Sequence, residues 1–193
     1  MKKIHPIEAL IEQGEHQQLD FKFEVSDSKK IARTLSAFAN TDGGRLLIGV
    51  KDNGNISGVR SEEEYYMIEA ASRMYTRPEV PFEATRWEVN GKTVLEVYIA
   101  PSPDKPHTAP DKDDKFKAYI RVADENILAN EVLVLAWQKK HKPDGTLLKI
   151  SKPVERLFAY LDDHPHINIS QFCRIGRINY YTCLLYTSPS PRD

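Results

Sequence analysis

An apolar run, Leu46-Leu47-Ile48-Gly49-Val50, stands almost directly after the glycine pair Gly43-Gly44, and no other stretch of the chain constrains its fold as much. Such a run suits a central strand covered on both faces, because every side chain along it needs an apolar neighbour. Just upstream, Ile31, Leu35 and Phe38 recur at helical spacing, with Ala32 and Ala39 beside them. Ser26 or Asp27 can cap that helix, and Asn40 is its expected end. Helix and strand must then meet through the tight turn Thr41-Asp42-Gly43-Gly44, which only glycine makes without a steric penalty.

The flanking segments carry their own patterns. Residues 19–25, Leu-Asp-Phe-Lys-Phe-Glu-Val, alternate with period two and predict a strand with Leu19, Phe21, Phe23 and Val25 inward and Asp20, Lys22 and Glu24 outward. Ile7, Leu10 and Ile11 predict a short helix stopped by Gly14 in the C′ position. Asp52-Asn53-Gly54-Asn55 is turn chemistry, with residues 56–59 returning as a short strand. Ser61 and Glu64 predict a capping box on a helix that runs to Tyr75. Asn90-Gly91, between residues 82–89 and 92–100, predicts a type I′ hairpin. Residues 101–115 hold four prolines and many charges, and predict a long exposed loop before a strand over 116–122.

The expected fold class is therefore α+β, a mixed β-sheet with packed helices. Residues 1–140 are expected to form the first domain, closed by a short helix over 132–137, and residues 141–152 a polar linker. Beyond it, Val154, Leu157, Phe158 and Leu161 make a helical stripe, and residues 169–175 start a second helix. Residues 153–182 thus resemble the opening of a winged-helix or helix-turn-helix unit. Residues 183–193, Cys-Leu-Leu-Tyr-Thr-Ser-Pro-Ser-Pro-Arg-Asp, resemble translated sequencing-adapter read-through, so a non-native tail and a longer natural protein are expected.

Composition narrows the functional classes. At 193 residues, 40% hydrophobic and 28% charged, the chain can bury a real core. No apolar run approaches the roughly 20 residues needed to span a bilayer, and the first residues, Met-Lys-Lys-Ile-His-Pro, lack the apolar region of a signal peptide. A cytoplasmic location without a membrane partner is expected, and homo-oligomerisation stays open. Cys173 and Cys183 are expected to be free thiols. None of His5, His16, His107, His141, His164 and His166 shows ligand spacing, and surface or linker positions are expected for most of them; no Ser-His-Asp or Cys-His arrangement emerges.

A formal net charge of −1 means that any nucleic-acid contact must come from a local patch. Lys29, Lys30 and Arg33 crowd the first turns of the second helix, the end where the macrodipole disfavours positive charge. With Lys22, Arg45 and Arg121 they could track phosphates; the alternative is a solvated helix face offset by Asp27. The turn of Asn40, Thr41, Gly43 and Gly44 also has two readings, a backbone cradle for a phosphate or a chain reversal that needs glycine. It follows a helix and lacks the lysine of a P-loop, so ATP hydrolysis is not expected and nucleotide binding is the weaker alternative.

The acidic motif Glu15-His-Gln-Gln-Leu-Asp20-Phe-Lys22, together with Ala37-Phe-Ala-Asn-Thr-Asp-Gly-Gly44 and the late strand Tyr119-Ile-Arg-Val122, resembles the Schlafen-type AlbA-like domain over about residues 8–125. The resemblance implies a DNA-binding or ATP-binding domain, often placed ahead of a winged helix, and a regulator-like role in transcription. In nuclease members of the wider family, two acids five positions apart and a third after the glycine-bearing strand are the catalytic set. Glu15, Asp20 and Asp52 match those positions, with aspartate at the second where the family more often has glutamate. The resemblance then implies Mg²⁺ or Mn²⁺ held by these three carboxylates, with Lys22 offsetting charge on a phosphate. The structural alternative is a solvated Glu15, an Asp20–Lys22 pair and an Asp52 that caps its turn. A nucleic-acid-binding protein is the leading expectation and a metal-dependent nuclease acting on RNA or single-stranded DNA the alternative.

Overall fold

The structure is a computed structural model that describes residues 5–59, 61–140 and 150–187, with side chains described as far as Cys183. Most of the expected linker, residues 141–149, and the last six residues of the expected tail lie outside them. The chain divides into two compact units, residues 1–129 and 130–193. The fold is α+β.

In chain order the first unit contains α1 (Pro6–Ile11), β1 (Leu19–Lys22), α2 (Ser28–Asn40), β2 (Gly44–Ile48), α3 (Glu63–Tyr75), β3 (Glu83–Val89), β4 (Lys92–Ile99), β5 (Thr108–Pro110), β6 (Phe116–Val122) and β7 (Glu125–Leu128). A mixed four-stranded sheet runs in the order β1-β2-β4-β3, with β1 parallel to β2 and the other pairs antiparallel. A second, antiparallel sheet is β5-β6-β7. The apolar run behaves as its composition demands: Leu46 and Ile48 enter a cluster with Ile31, Leu35 and Phe38 of α2 and Ile68 of α3, while Leu47 and Val50 enter a second cluster with Ile7, Leu19 and Phe21. Both faces of β2 are thereby covered.

The glycine turn is a packing requirement. A Cβ on Gly44 would lie 2.5 Å from two ring atoms of Phe38, and one on Gly43 would lie 2.6 Å from the Ile99 carbonyl oxygen. Helix and strand approach closely enough that only hydrogen fits between them. Asn90 and Gly91 take φ of 53° and 74°, the left-handed pair that a type I′ turn requires.

Several expectations are corrected. β1 ends at Lys22, and Phe23 is exposed whereas Asp20 is only 3% exposed. Period-two alternation failed here because β1 is covered on both sides at residues 19–21, after which the chain leaves the sheet to reach α2. α1 ends at Ile11 with Glu12 as its cap, so Gly14, at φ 71°, lies one residue beyond the C′ position. α3 begins at Glu63: the Ser61 hydroxyl accepts from the Glu63 N–H at 3.2 Å instead of from the amide of Glu64, so the reciprocal box does not form. Residues 101–115 are not simply an exposed loop, since they contain β5, place Ala109 in the core cluster and bury the His107 side chain.

The second unit contains α4 (Glu131–Lys140), α5 (Lys152–Leu161), α6 (Ile169–Gly176) and α7 (Tyr180–Thr187). Asn168 and Gln171 form a capping box at the start of α6, and the Arg156 guanidinium of α5 donates to the Gly176 carbonyl at 3.2 Å. Residues 183–187 of the expected tail continue α7, and the Cys183 thiol is buried 3.8 Å from the Ile169 carbonyl. Neither cysteine is in a disulfide. Among the described residues, no helix is long and apolar enough to cross a membrane.

Candidate functional site

The first half of α2 supplies most of the candidate site. Asp27 caps the helix, its carboxylate accepting from the Lys29 and Lys30 amides at 2.8 and 3.3 Å. That carboxylate offsets the cost of three cations in the first two turns. Lys22, Lys30 and Arg33 line a groove of about 460 Å³ together with Thr34, Tyr119 and Asn126. Glu24 and Asp27 line it too, and Asp27 is already engaged by the helix amides. Arg33 donates through Nε to the Pro110 carbonyl at 2.8 Å, and its terminal nitrogens make no hydrogen bond among the described residues. Lys30 is exposed. Lys22 bonds the Phe21 carbonyl at 2.7 Å and lies 2.8 Å from Asp20 Oδ2, giving that oxygen a charge neighbour without an aligned hydrogen bond.

The other expected cations lie elsewhere. Lys29 pairs with Asp114 at 2.6 Å, and that carboxylate pushes its ammonium pKa up. Arg45 pairs with Glu96 at 2.8 Å and stacks 5.1 Å from the Tyr98 ring. Arg121, expected to track phosphates, is instead 2% exposed and cannot reach one. Its guanidinium donates to Asp20 Oδ1 at 3.0 Å and Asn126 Oδ1 at 3.1 Å, and sits 5.2 Å from the Phe38 ring centre.

The three carboxylates do not come together as a set. Glu15 is beside Asp20; its Oε1 accepts from the Phe21 amide at 2.9 Å. Burial pushes the Glu15 carboxyl pKa up, the Phe21 amide opposes this, and the hydrogen bond and charge of Asp20 push it further up. Asp52 stays exposed in its turn, and no group of three His, Cys, Asp or Glu side chains among the described residues is placed to hold a metal ion. Asp20 already faces Arg121 and Lys22, so these residues do not fit a Mg²⁺ or Mn²⁺ cage.

The glycine-bearing turn is equally committed to structure. The Gly43 amide donates to the Phe38 carbonyl at 2.9 Å, and Thr41 donates its hydroxyl to the Ala37 carbonyl and accepts the Arg121 amide at 3.2 Å. Asn40 donates to the carbonyls of His107 and Tyr119 at 2.7 and 2.9 Å and accepts the His107 amide at 2.8 Å. Asn40, Gly43 and Gly44 are buried, so no open phosphate cradle forms.

His107, expected at a surface or linker position, is 2% exposed. Its Nδ1 is 2.9 Å from the Pro78 carbonyl and its Nε2 2.7 Å from the Ser102 hydroxyl. A carbonyl only accepts, so Nδ1 carries the proton and Nε2 accepts from Ser102. Burial lowers the His107 pKa below the usual 6.5, against the opposing pull of the Pro78 carbonyl and Asp104. The unfolded chain therefore binds this proton more readily, and the stabilisation is complete above pH 6.5 and lost as the pH falls toward the depressed folded value. Urea midpoints taken between pH 5 and 7 should decline on acidification, and the decline should be shallower in His107→Gln; an unchanged slope would refute the assignment.

Comparison with known proteins places this arrangement. The family model described as Schlafen, AlbA_2 matches residues 15–130, which takes in the acidic motif, α2, the glycine turn and β1 to β7, but none of α1. The chain belongs to the Schlafen, AlbA_2 family. The crystal structure of the DIP2311 protein from Corynebacterium diphtheriae is similar at 21% identity and TM-score 0.50, covering 70% of this chain and 29% of its own. The chain thus spans under a third of that relative, and the likeness is one of fold. The solution structure of the N-terminal domain of a RecG-related protein from Nitrosomonas europaea matches at 21% identity and TM-score 0.41, covering 66% of this chain and 97% of its own. No functionally curated protein matches the chain. Within this Schlafen, AlbA_2 domain, sequence reasoning found Lys22, Lys30 and Arg33 but missed Tyr119 and Asn126 as groove residues. They come from a strand pair nearly a hundred positions away and carry no local signal.

Proposed function

We propose that the first unit binds nucleic acid through the groove of Lys22, Lys30 and Arg33, within a transcription-regulator-like protein. The observation that carries the reading is that three cations from two separate elements, the end of β1 and the first half of α2, line one open groove. Lys30 and the terminal nitrogens of Arg33 have no counter-charge among the described residues, and cations of this kind in a groove neutralise backbone phosphates and release counterions. The family resemblance supports the same partner. Residues 153–182 enter the proposal as the opening of a winged-helix-like segment.

Binding to a labelled oligonucleotide, followed by fluorescence anisotropy, should weaken with added salt, with a log–log slope near −0.9 per phosphate contacted on duplex DNA. Lys30→Glu should weaken binding to all sequences alike and make the slope shallower by about one unit. Salt-independent binding, or wild-type affinity in Lys30→Glu, would overturn the reading. A nuclease or nucleotide-binding role finds less support, because Asp52 forms no metal-holding group with Glu15 and Asp20 and Asn40, Gly43 and Gly44 are buried.

A further inference from the structure

Lys29 and Arg33 are i, i+4 neighbours on α2; Arg33 meets the end of β5 and Lys29 the turn that joins β5 to β6. Arg33 does so through the Pro110 carbonyl and Lys29 through the Asp114 carboxylate, 2.6 Å from its Nζ. The Asp114 backbone is held to this position. It takes φ 60°, its amide donates to the Asp111 carbonyl at 3.3 Å, and the Asp111 carboxylate accepts the amides of Asp113 and Lys115 at 2.8 and 2.9 Å. Lys117 pairs with Asp111 at 2.9 Å, so the turn carries its own internal ion pair and does not depend on Lys29. Asp114 itself is largely exposed, and an exposed pair of this kind contributes little to folding. A carboxylate set against a helix lysine, beside a groove that carries Lys30 and the terminal nitrogens of Arg33, presents the same chemistry as a phosphate oxygen.

We infer that Asp114 is an internal substitute for a backbone phosphate, which withholds Lys29 from nucleic acid and lowers the affinity of the adjoining groove. The inference rests on the nucleic-acid reading of that groove and adds a fourth cation to it, one that the folded chain keeps neutralised. Asp114 then sets how many phosphates the surface engages.

A double-mutant cycle on the full chain tests this, with anisotropy of a labelled duplex and a labelled single strand measured across a salt series. Asp114→Asn should bind several-fold more tightly at low salt, with a slope steeper by about 0.9 on duplex DNA. Lys29→Ala alone should leave affinity near wild type, and Lys29→Ala combined with Asp114→Asn should cancel the gain. Asp113→Asn removes the same formal charge from the same turn and should give a smaller gain. If Asp114→Asn binds no more tightly than wild type, or if its gain survives in the double variant or equals that of Asp113→Asn, the inference is wrong while the groove reading stands. Absence of binding by every variant, Asp114→Asn included, would overturn both.

Discussion

Replacing Arg121 by methionine is expected to destabilise the first unit by about 3–5 kcal/mol, because it leaves the Asp20 carboxylate buried without its main countercharge. Asp20 is 3% exposed and Arg121 2%. Lys22 remains 2.8 Å from Asp20 Oδ2, but its side chain is 38% exposed and therefore screened, so it offsets only part of the loss. Methionine keeps most of the contact with the Phe38 ring, so the effect reports charge more than volume. The pair is not tuned for maximal stability: Arg121 Nε and Asp20 Oδ2 are buried without a hydrogen-bond partner. Asp20→Asn combined with Arg121→Met should accordingly recover most of the single-variant loss. Urea unfolding in a Trp137→Phe background, with Trp87 as the sole indole reporter, measures both. A loss below about 1 kcal/mol in the single variant would mean that Arg121 does not anchor β6 to β1 through Asp20.

Asn40→Ala is expected to cost about 4 kcal/mol, several buried backbone groups losing partners at once. The Asn40 amide joins the end of α2 to β6 through Tyr119 and to the segment before β5 through both backbone groups of His107. Ser36 Oγ still donates to the His107 carbonyl at 2.8 Å, so the His107 amide and the Tyr119 carbonyl bear most of the loss. Asn40→Asp keeps the acceptor for the His107 amide but sets a carboxylate against two carbonyl oxygens, and should be at least as damaging. The same urea experiment decides it. An Asn40→Ala midpoint close to wild type would show that water replaces the lost bonds.

Much of the fold is legible along the chain because its signals are local. The α2 stripe, the Asp27 cap, the Asn90-Gly91 hairpin and the apolar run of β2 are each set by neighbours within a few positions, and each forms as its pattern predicts. The patterns fail where partners are distant. Asp20 reads as an outward strand residue because Arg121, a hundred positions on, is invisible to periodicity. His107 sits in a charged, proline-rich stretch whose burial arises only when that stretch pairs with Arg77 and meets Asn40.

The candidate site divides along the same line. Residue type and spacing alone were enough to mark Lys29, Lys30 and Arg33 as cations in want of a partner, since positive charge in the first turns of a helix is a local cost, and to add Lys22, Arg45 and Arg121 as candidates beside them. Which cations stay uncommitted is a matter of three-dimensional neighbours. Folding buries Arg121 against Asp20 and ties Lys29 to Asp114 and Arg45 to Glu96, while Lys30 and the terminal nitrogens of Arg33 keep their capacity. Charge is carried by a residue wherever it stands, but its availability depends on the counter-charges and solvent that the folded chain brings within a few ångströms.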